Sequence, residues 1–115
     1  MAMDGPLRLF LCDDTEPFRA LMRASLPDGR GLEVVGESGD GVACVDGVVE
    51  SGADAILLDL AMPRRDGMSA ISYLREHAPG CAIVVFSGFE AARMERSCRE
   101  LGAHAYLEKG ADVDE

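Results

Sequence analysis

The chain has 115 residues, enough for one domain that buries roughly two-thirds of the surface its unfolded form exposes and folds without staples. Its 21 acidic side chains against 11 basic ones give a net charge of -10, which excludes this segment, on its own, from sequence-independent attraction to a nucleic-acid backbone. No apolar stretch approaches the ~20 residues of a membrane span, and Met1 to Pro6 lacks the charged start and apolar run of a secretory signal, so a cytoplasmic location is expected.

Apolar runs and helical stripes alternate along the chain, the pattern of a βα-repeating α/β domain with a mostly parallel sheet. Leu7 to Cys12 reads as a strand. Phe18, Leu21, Met22 and Leu26 then form one face of a helix that Pro27-Asp28-Gly29 ends. Leu32 to Gly36 is a second strand, followed by a stripe of Cys44, Val45, Val48 and Val49 that Ser51-Gly52 closes. Gly47 lies within this stripe and weakens it by about 1 kcal/mol.

The third run, Ala55 to Leu60, is almost continuously apolar, as a central strand covered on both faces should be, and Asp59 stands out within it. After the turn Pro63 to Gly67, Met68, Ile71 and Leu74 mark a helix ending near Ala78-Pro79-Gly80. Ala82 to Phe86 is a fourth strand, Met94, Cys98 and Leu101 a fourth helical face, and Ala105 to Leu107 a short fifth strand. Asp112 to Glu115 then has the D-x-x-E spacing of a helix start, so a fifth helix is announced and cut short.

The four cysteines, Cys12, Cys44, Cys81 and Cys98, lie far apart with no C-x-x-C pair, and they read as buried free thiols rather than a zinc site or disulfide framework. His77 and His104 read as surface or packing residues. Lys109 is the only lysine, against ten arginines among the eleven cationic residues.

In open parallel sheets, ligands bind beyond the carboxyl ends of the strands. The first strand here ends in Asp13-Asp14, the third in Asp59, the fourth in Ser87-Gly88, and the fifth leads to Lys109. Taken singly these are ordinary: an acidic pair is usually a solvated turn or cap, Ser-Gly a turn, a lysine a surface charge. Their joint placement on one rim is not. Carboxylates within about 4 Å repel by roughly 4 kcal/mol per pair at an effective dielectric near 20, so the cluster calls for a cation. An all-oxygen donor set without His or Cys favours Mg²⁺, or Mn²⁺, over zinc, and Mg²⁺ accepts phosphate oxygens. Phosphoryl transfer then needs a nucleophile, for which Asp59 is the candidate, and positive charge on the equatorial oxygens, which Lys109 and the Ser87 hydroxyl would supply.

The stretch Asp59-Leu60-Ala61-Met62-Pro63-Arg64-Arg65-Asp66-Gly67 resembles the D-hydrophobic-x-M-P-x-x-D-G signature of the receiver domain of two-component response regulators. The resemblance runs from Leu7 to about Asp112, within a single domain spanning residues 1–115. It implies a flavodoxin-like, doubly wound, five-stranded parallel sheet of order 2-1-3-4-5 with helices on both faces, the last helix truncated. It also implies that Asp59 accepts phosphate from a sensor histidine kinase, that Asp14 and the Ala61 carbonyl coordinate Mg²⁺ alongside Asp59, and that Asp13 contributes through a metal-bound water. Ser87 and Tyr106 would form the switch, Ser87 drawn inward and Tyr106 turning from an exposed to a buried rotamer, which alters the surface of the fourth helix and fifth strand.

Such a module is a phosphoacceptor rather than an enzyme. Its associations in the family are the kinase, a second copy as homodimer, and a C-terminal DNA-binding output domain outside the segment, with transcription as the output. Gly110 stands where many relatives carry proline, so the cis peptide that often fixes that loop is not expected. Three alternatives are weaker. An aspartyl-phosphate phosphatase wants a general acid two residues past the nucleophile, where this chain has Ala61. A flavodoxin-like redox module wants a Ser/Thr-rich phosphate loop after Leu11, which is lacking. A receiver-like interaction module that takes no phosphate has no need of the intact acidic set.

Overall fold

The computed structural model describes residues 6–25, 31–60, 67–88 and 91–108. Strands β1 (Leu7–Cys12), β2 (Leu32–Ser38), β3 (Ala55–Leu58), β4 (Ala82–Ser87) and β5 (Ala105–Glu108) alternate with helices α1 (Glu16–Ser25), α2 (Gly41–Ser51), α3 (Gly67–His77) and α4 (Ala91–Leu101). The sheet runs β2-β1-β3-β4-β5, and every neighbouring pair is parallel. This is the expected doubly wound order, with β1 and β3 at the centre, where the chain reverses direction across the sheet. The announced helix start at Asp112 to Glu115 lies outside the described residues.

Among the described residues, the two sheet faces are unequally covered. Alternate residues Phe10, Cys12, Ile56, Leu58, Ile83, Val85 and Tyr106 face α2, α3 and α4, meeting Cys44, Val45, Val48, Ile71, Leu74 and Cys98 in the larger core. Complete burial of each Ile, Leu or Val side chain contributes about 1.5–3 kcal/mol, so this face holds most of the hydrophobic stabilisation. The opposite face carries Leu9, Leu11 and Ala55 with partly buried Leu57 and Ala82, and α1 packs there through Met22.

Helix α1 is rotated relative to the sequence reading. Phe18 and Met22 turn inward, but Leu21, expected on the same face, is 59% exposed. The inward stripe is narrow: Met22 packs on the smaller cluster and Phe18 meets Phe86 edge-on, while Leu26 lies outside the described residues. Val49 likewise projects outward, whereas Cys44, Val45 and Val48 are buried.

Gly47 has a packing reason. A Cβ at this position would lie 2.5 Å from Phe10 Cζ, and one at Gly36 would lie 2.6 Å from Phe10 Cε2, so the ring is clasped between two glycines. The propensity cost in α2 makes room for an aromatic side chain on β1. At the helix ends, Asp40 caps α2 by accepting from the Val42 and Ala43 amides, and Gly52 closes it at φ 65°, a left-handed conformation suited to glycine.

The cysteine expectation holds for only half the set. Cys81 and Cys98 are buried free thiols, but Cys12 and Cys44 form a disulfide across 32 residues, with Cα atoms 5.8 Å apart. Sequence separation concealed the pair because it is created by packing: the end of β1 and the first turn of α2 meet only once α2 folds back over the sheet.

Candidate phosphoacceptor site

Beyond the carboxyl end of the sheet, β1 and β3 release their chains side by side. Cys12 pairs with Leu58 in register, and the Asp59 amide donates to the Cys12 carbonyl at 2.8 Å, which sets Asp59 beside Asp13. The Asp13 amide donates in turn to the Ser38 carbonyl at 3.1 Å, tying the same strand end to β2. Carboxylate oxygens of Asp13, Asp14 and Asp59 all lie within 4.8 Å of one another, with Asp13 and Asp59 buried and Asp14 exposed. The Thr15 amide donates to Asp13 Oδ1 at 2.9 Å and its hydroxyl to Asp14 Oδ1 at 3.3 Å, so the loop into α1 orients both acids.

Two buried carboxylates this close to a third concentrate negative charge in a medium that screens it poorly. The donor set is all oxygen and opens to solvent on the Asp14 side, which suits a hard divalent ion that keeps part of its water shell. The residues therefore fit Mg²⁺ by number, type and placement.

Ser87 closes β4 and is fully buried. Tyr106 pairs in register with Val85, so Ser87 and Tyr106 lie on the same sheet face of adjacent strands, two residues apart along the sheet. Tyr106 is 7% exposed and belongs to the larger core. Lys109 and Ala61 lie outside the described residues, as does the stretch from Met62 to Asp66.

The strand end has a support that sequence reasoning missed. Arg19 on α1 donates from its guanidinium to the Asp13 carbonyl and, through Nε, to Glu37 Oε1 at 2.8 Å; Arg23 pairs with the other Glu37 oxygen. Burial pushes the Glu37 carboxyl up, but hydrogen bonds from Arg19 and Arg23 outweigh it and hold the group below the ordinary glutamate value. The i, i+4 spacing of Arg19 and Arg23 was visible, yet their partner sits on a strand 14 residues beyond Arg23. His104, read as a surface or packing residue, is exposed but also makes a specific polar contact, because its Nδ1 accepts from the Ile83 amide at 3.0 Å.

Residues 9–115 match the response regulator receiver domain family. The chain belongs to that family. This receiver is 34% identical over 115 residues to the transcriptional regulatory protein PdtaR of Mycobacterium tuberculosis, covering 96% of this chain and 53% of that protein. It is 31% identical over 112 residues to a protein-glutamate methylesterase/protein-glutamine glutaminase of Azospirillum brasilense, covering 96% of this chain and 28% of that protein. Among solved structures, the signal receiver domain of the putative response regulator NarL from Mycobacterium tuberculosis superposes with a TM-score of 0.87 at 25% identity, covering 95% of this chain and 88% of that one. The chain thus spans about a quarter to a half of the length of such relatives. Among the described residues, no helix is long and apolar enough to cross a membrane.

Proposed function

We propose that this receiver is a phosphoacceptor whose nucleophile is Asp59, loaded in the cytoplasm from the phosphohistidine of a sensor kinase with Mg²⁺ bound. The observation that carries the reading is the convergence of Asp13, Asp14 and Asp59 within 4.8 Å at the end of the central strands. Asp14, Asp59 and the Ala61 carbonyl would hold the ion, with Asp13 acting through a bound water. When bound, Mg²⁺ supplies positive charge that offsets the carboxylates and the incoming phosphoryl oxygens.

The remaining work belongs to the chain. Asp59 presents a carboxylate oxygen to phosphorus, held in place by its backbone bond to Cys12. The Ser87 hydroxyl donates to one phosphoryl oxygen, and Lys109 neutralises another. Phosphorylation adds a local charge of about -2, which draws Ser87 toward the acceptor and biases the position of Tyr106 on the same sheet face.

The segment acts as a switch and leaves output to what it is joined to. Likeness to PdtaR supports transcriptional control through an output domain, while the methylesterases pair a similar receiver with different chemistry. The acceptor assignment is tested by incubating the protein with acetyl phosphate and Mg²⁺ and measuring the intact mass. One phosphoryl group is expected on the native protein and none on Asp59→Asn; equal uptake by the variant removes Asp59 as acceptor.

A further inference from the structure

Cys12 and Cys44 take no part in the chemistry above, yet they sit directly behind it. Cys12 is the last residue of β1, adjoins Asp13, and its carbonyl receives the Asp59 amide. Cys44 lies in the first turns of α2, and the two sulfurs are joined with a Cα separation of 5.8 Å, inside the range usual for a disulfide. We infer that Cys12 and Cys44 are a reversible oxidative modification site that sets how firmly the neighbouring acidic cluster holds its cation. The inference rests on reading Asp13, Asp14 and Asp59 as a metal site.

The coupling follows from size and burial. Reduction removes the covalent tie and gives each sulfur a hydrogen, so the two side chains need more room than the crosslinked pair. Both residues are almost wholly buried in the larger core, and neither side chain has solvent to turn into. The displacement is therefore taken up by the first turn of α2 or by the end of β1. That strand end is bonded on three sides: Asp13 amide to Ser38 carbonyl, Arg19 guanidinium to Asp13 carbonyl, and Asp59 amide to Cys12 carbonyl. A shift of Cys12 reaches both Asp13 and Asp59, so reduction loosens the close approach of the three acids that accompanies the crosslink.

The thiol form also has a place to go. Cys44 Sγ lies 3.5 Å from the Ser38 carbonyl, which can accept from the thiol once the crosslink opens. Cys81 and Cys98, by contrast, are free and buried elsewhere. Local opening of the first turn of α2 away from the strand end admits a hydroperoxide, and one sulfur takes its terminal oxygen as the O–O bond breaks, giving a sulfenic acid. The second sulfur then displaces that oxygen as the S–S bond forms. For hydrogen peroxide, two thiols and one peroxide yield one disulfide and two waters, which carry away both thiol protons. A dithiol reverses the reaction by exchange.

The full chain is treated with hydrogen peroxide or with dithiothreitol, freed of reagent, and each form is divided for two measurements. Alkylation under denaturing conditions followed by intact mass should give two modified cysteines after peroxide and four after dithiothreitol, with Cys12 and Cys44 recovered as one linked peptide pair. Calorimetric titration with Mg²⁺ should show at least threefold weaker binding by the reduced form, and Cys44→Ala should bind equally after either treatment. The native comparison carries the test by itself if that variant folds poorly. Four modified cysteines after peroxide overturn the site, and equal Mg²⁺ affinity in two forms of different mass overturns the coupling. Absence of Mg²⁺ binding in both forms overturns the metal reading and the coupling with it.

Discussion

The backbone amide of Asp59 donates to the carbonyl of Cys12 at 2.8 Å, so the residue proposed to carry phosphate is positioned by the strand end that also delivers Asp13. Because this bond is between main chains, side-chain changes in the acidic cluster should alter ion binding without moving the acceptor.

Asp13→Asn keeps an oxygen to accept from the Thr15 amide while removing a charge. The expected result is a loss of about 10–100-fold in Mg²⁺ affinity, the range for a group acting through a bound water. Asp14→Asn, which takes the charge from the residue proposed to hold the ion directly, should lose more. Calorimetric titration decides the order, and a larger loss at Asp13 reverses the assignment of the two acids.

Gly47→Ala gains roughly 1 kcal/mol of helix propensity but sets a methyl 2.5 Å from the buried Phe10 ring. Overpacking of this kind costs about 1–3 kcal/mol, so net destabilisation is expected by urea unfolding. Paired with Phe10→Leu the penalty should shrink; an unchanged penalty would place its origin elsewhere.

Glu37 should make the protein acid-sensitive. Burial alone would raise its carboxyl, but hydrogen bonds from Arg19 and Arg23 together hold it below the ordinary value of about 4.3. The stability this contributes is complete above the ordinary value and disappears as pH falls through the lowered one. In urea unfolding from pH 7 to pH 3, the advantage of the native protein over Glu37→Gln should therefore shrink toward the acid end. A constant difference would contradict the linkage.

Cys81 should resist alkylation. Burial, aided by the nearby Asp54 carboxylate, pushes its thiol up to about 11. At pH 8 the reactive thiolate is then scarcer by on the order of a hundredfold than for an ordinary cysteine near 8.5. The stability gained by keeping the thiol protonated is complete below the ordinary value and is lost as pH rises toward 11. Timed iodoacetamide labelling of the folded protein, read by peptide mass, should show Cys81 reacting far more slowly than the same cysteine in urea; equal rates would refute its burial.

Much of the architecture was legible because it depends on local periodicity. The continuous apolar run around Ile56 to Leu58 marked a strand buried on both faces, and Ile71 and Leu74 marked a helix, since each pattern has one geometry that buries it. The acidic site was legible for a different reason. Asp13-Asp14 and Asp59 follow directly after apolar strands, and a parallel sheet sends all such ends to one rim.

Sequence by itself thus determined the order of elements, the rim on which chemistry gathers, and the residue types available there. Only the tertiary structure decided which distant partners meet: Arg19 and Arg23 with Glu37, Phe10 with Gly36 and Gly47, His104 with Ile83, and Cys12 with Cys44. The physical reason is one of range. Strand and helix patterns are imposed by neighbours a few residues away, whereas these pairings depend on the angle at which each helix settles on the sheet, and that angle is set by the packing of all the side chains between them.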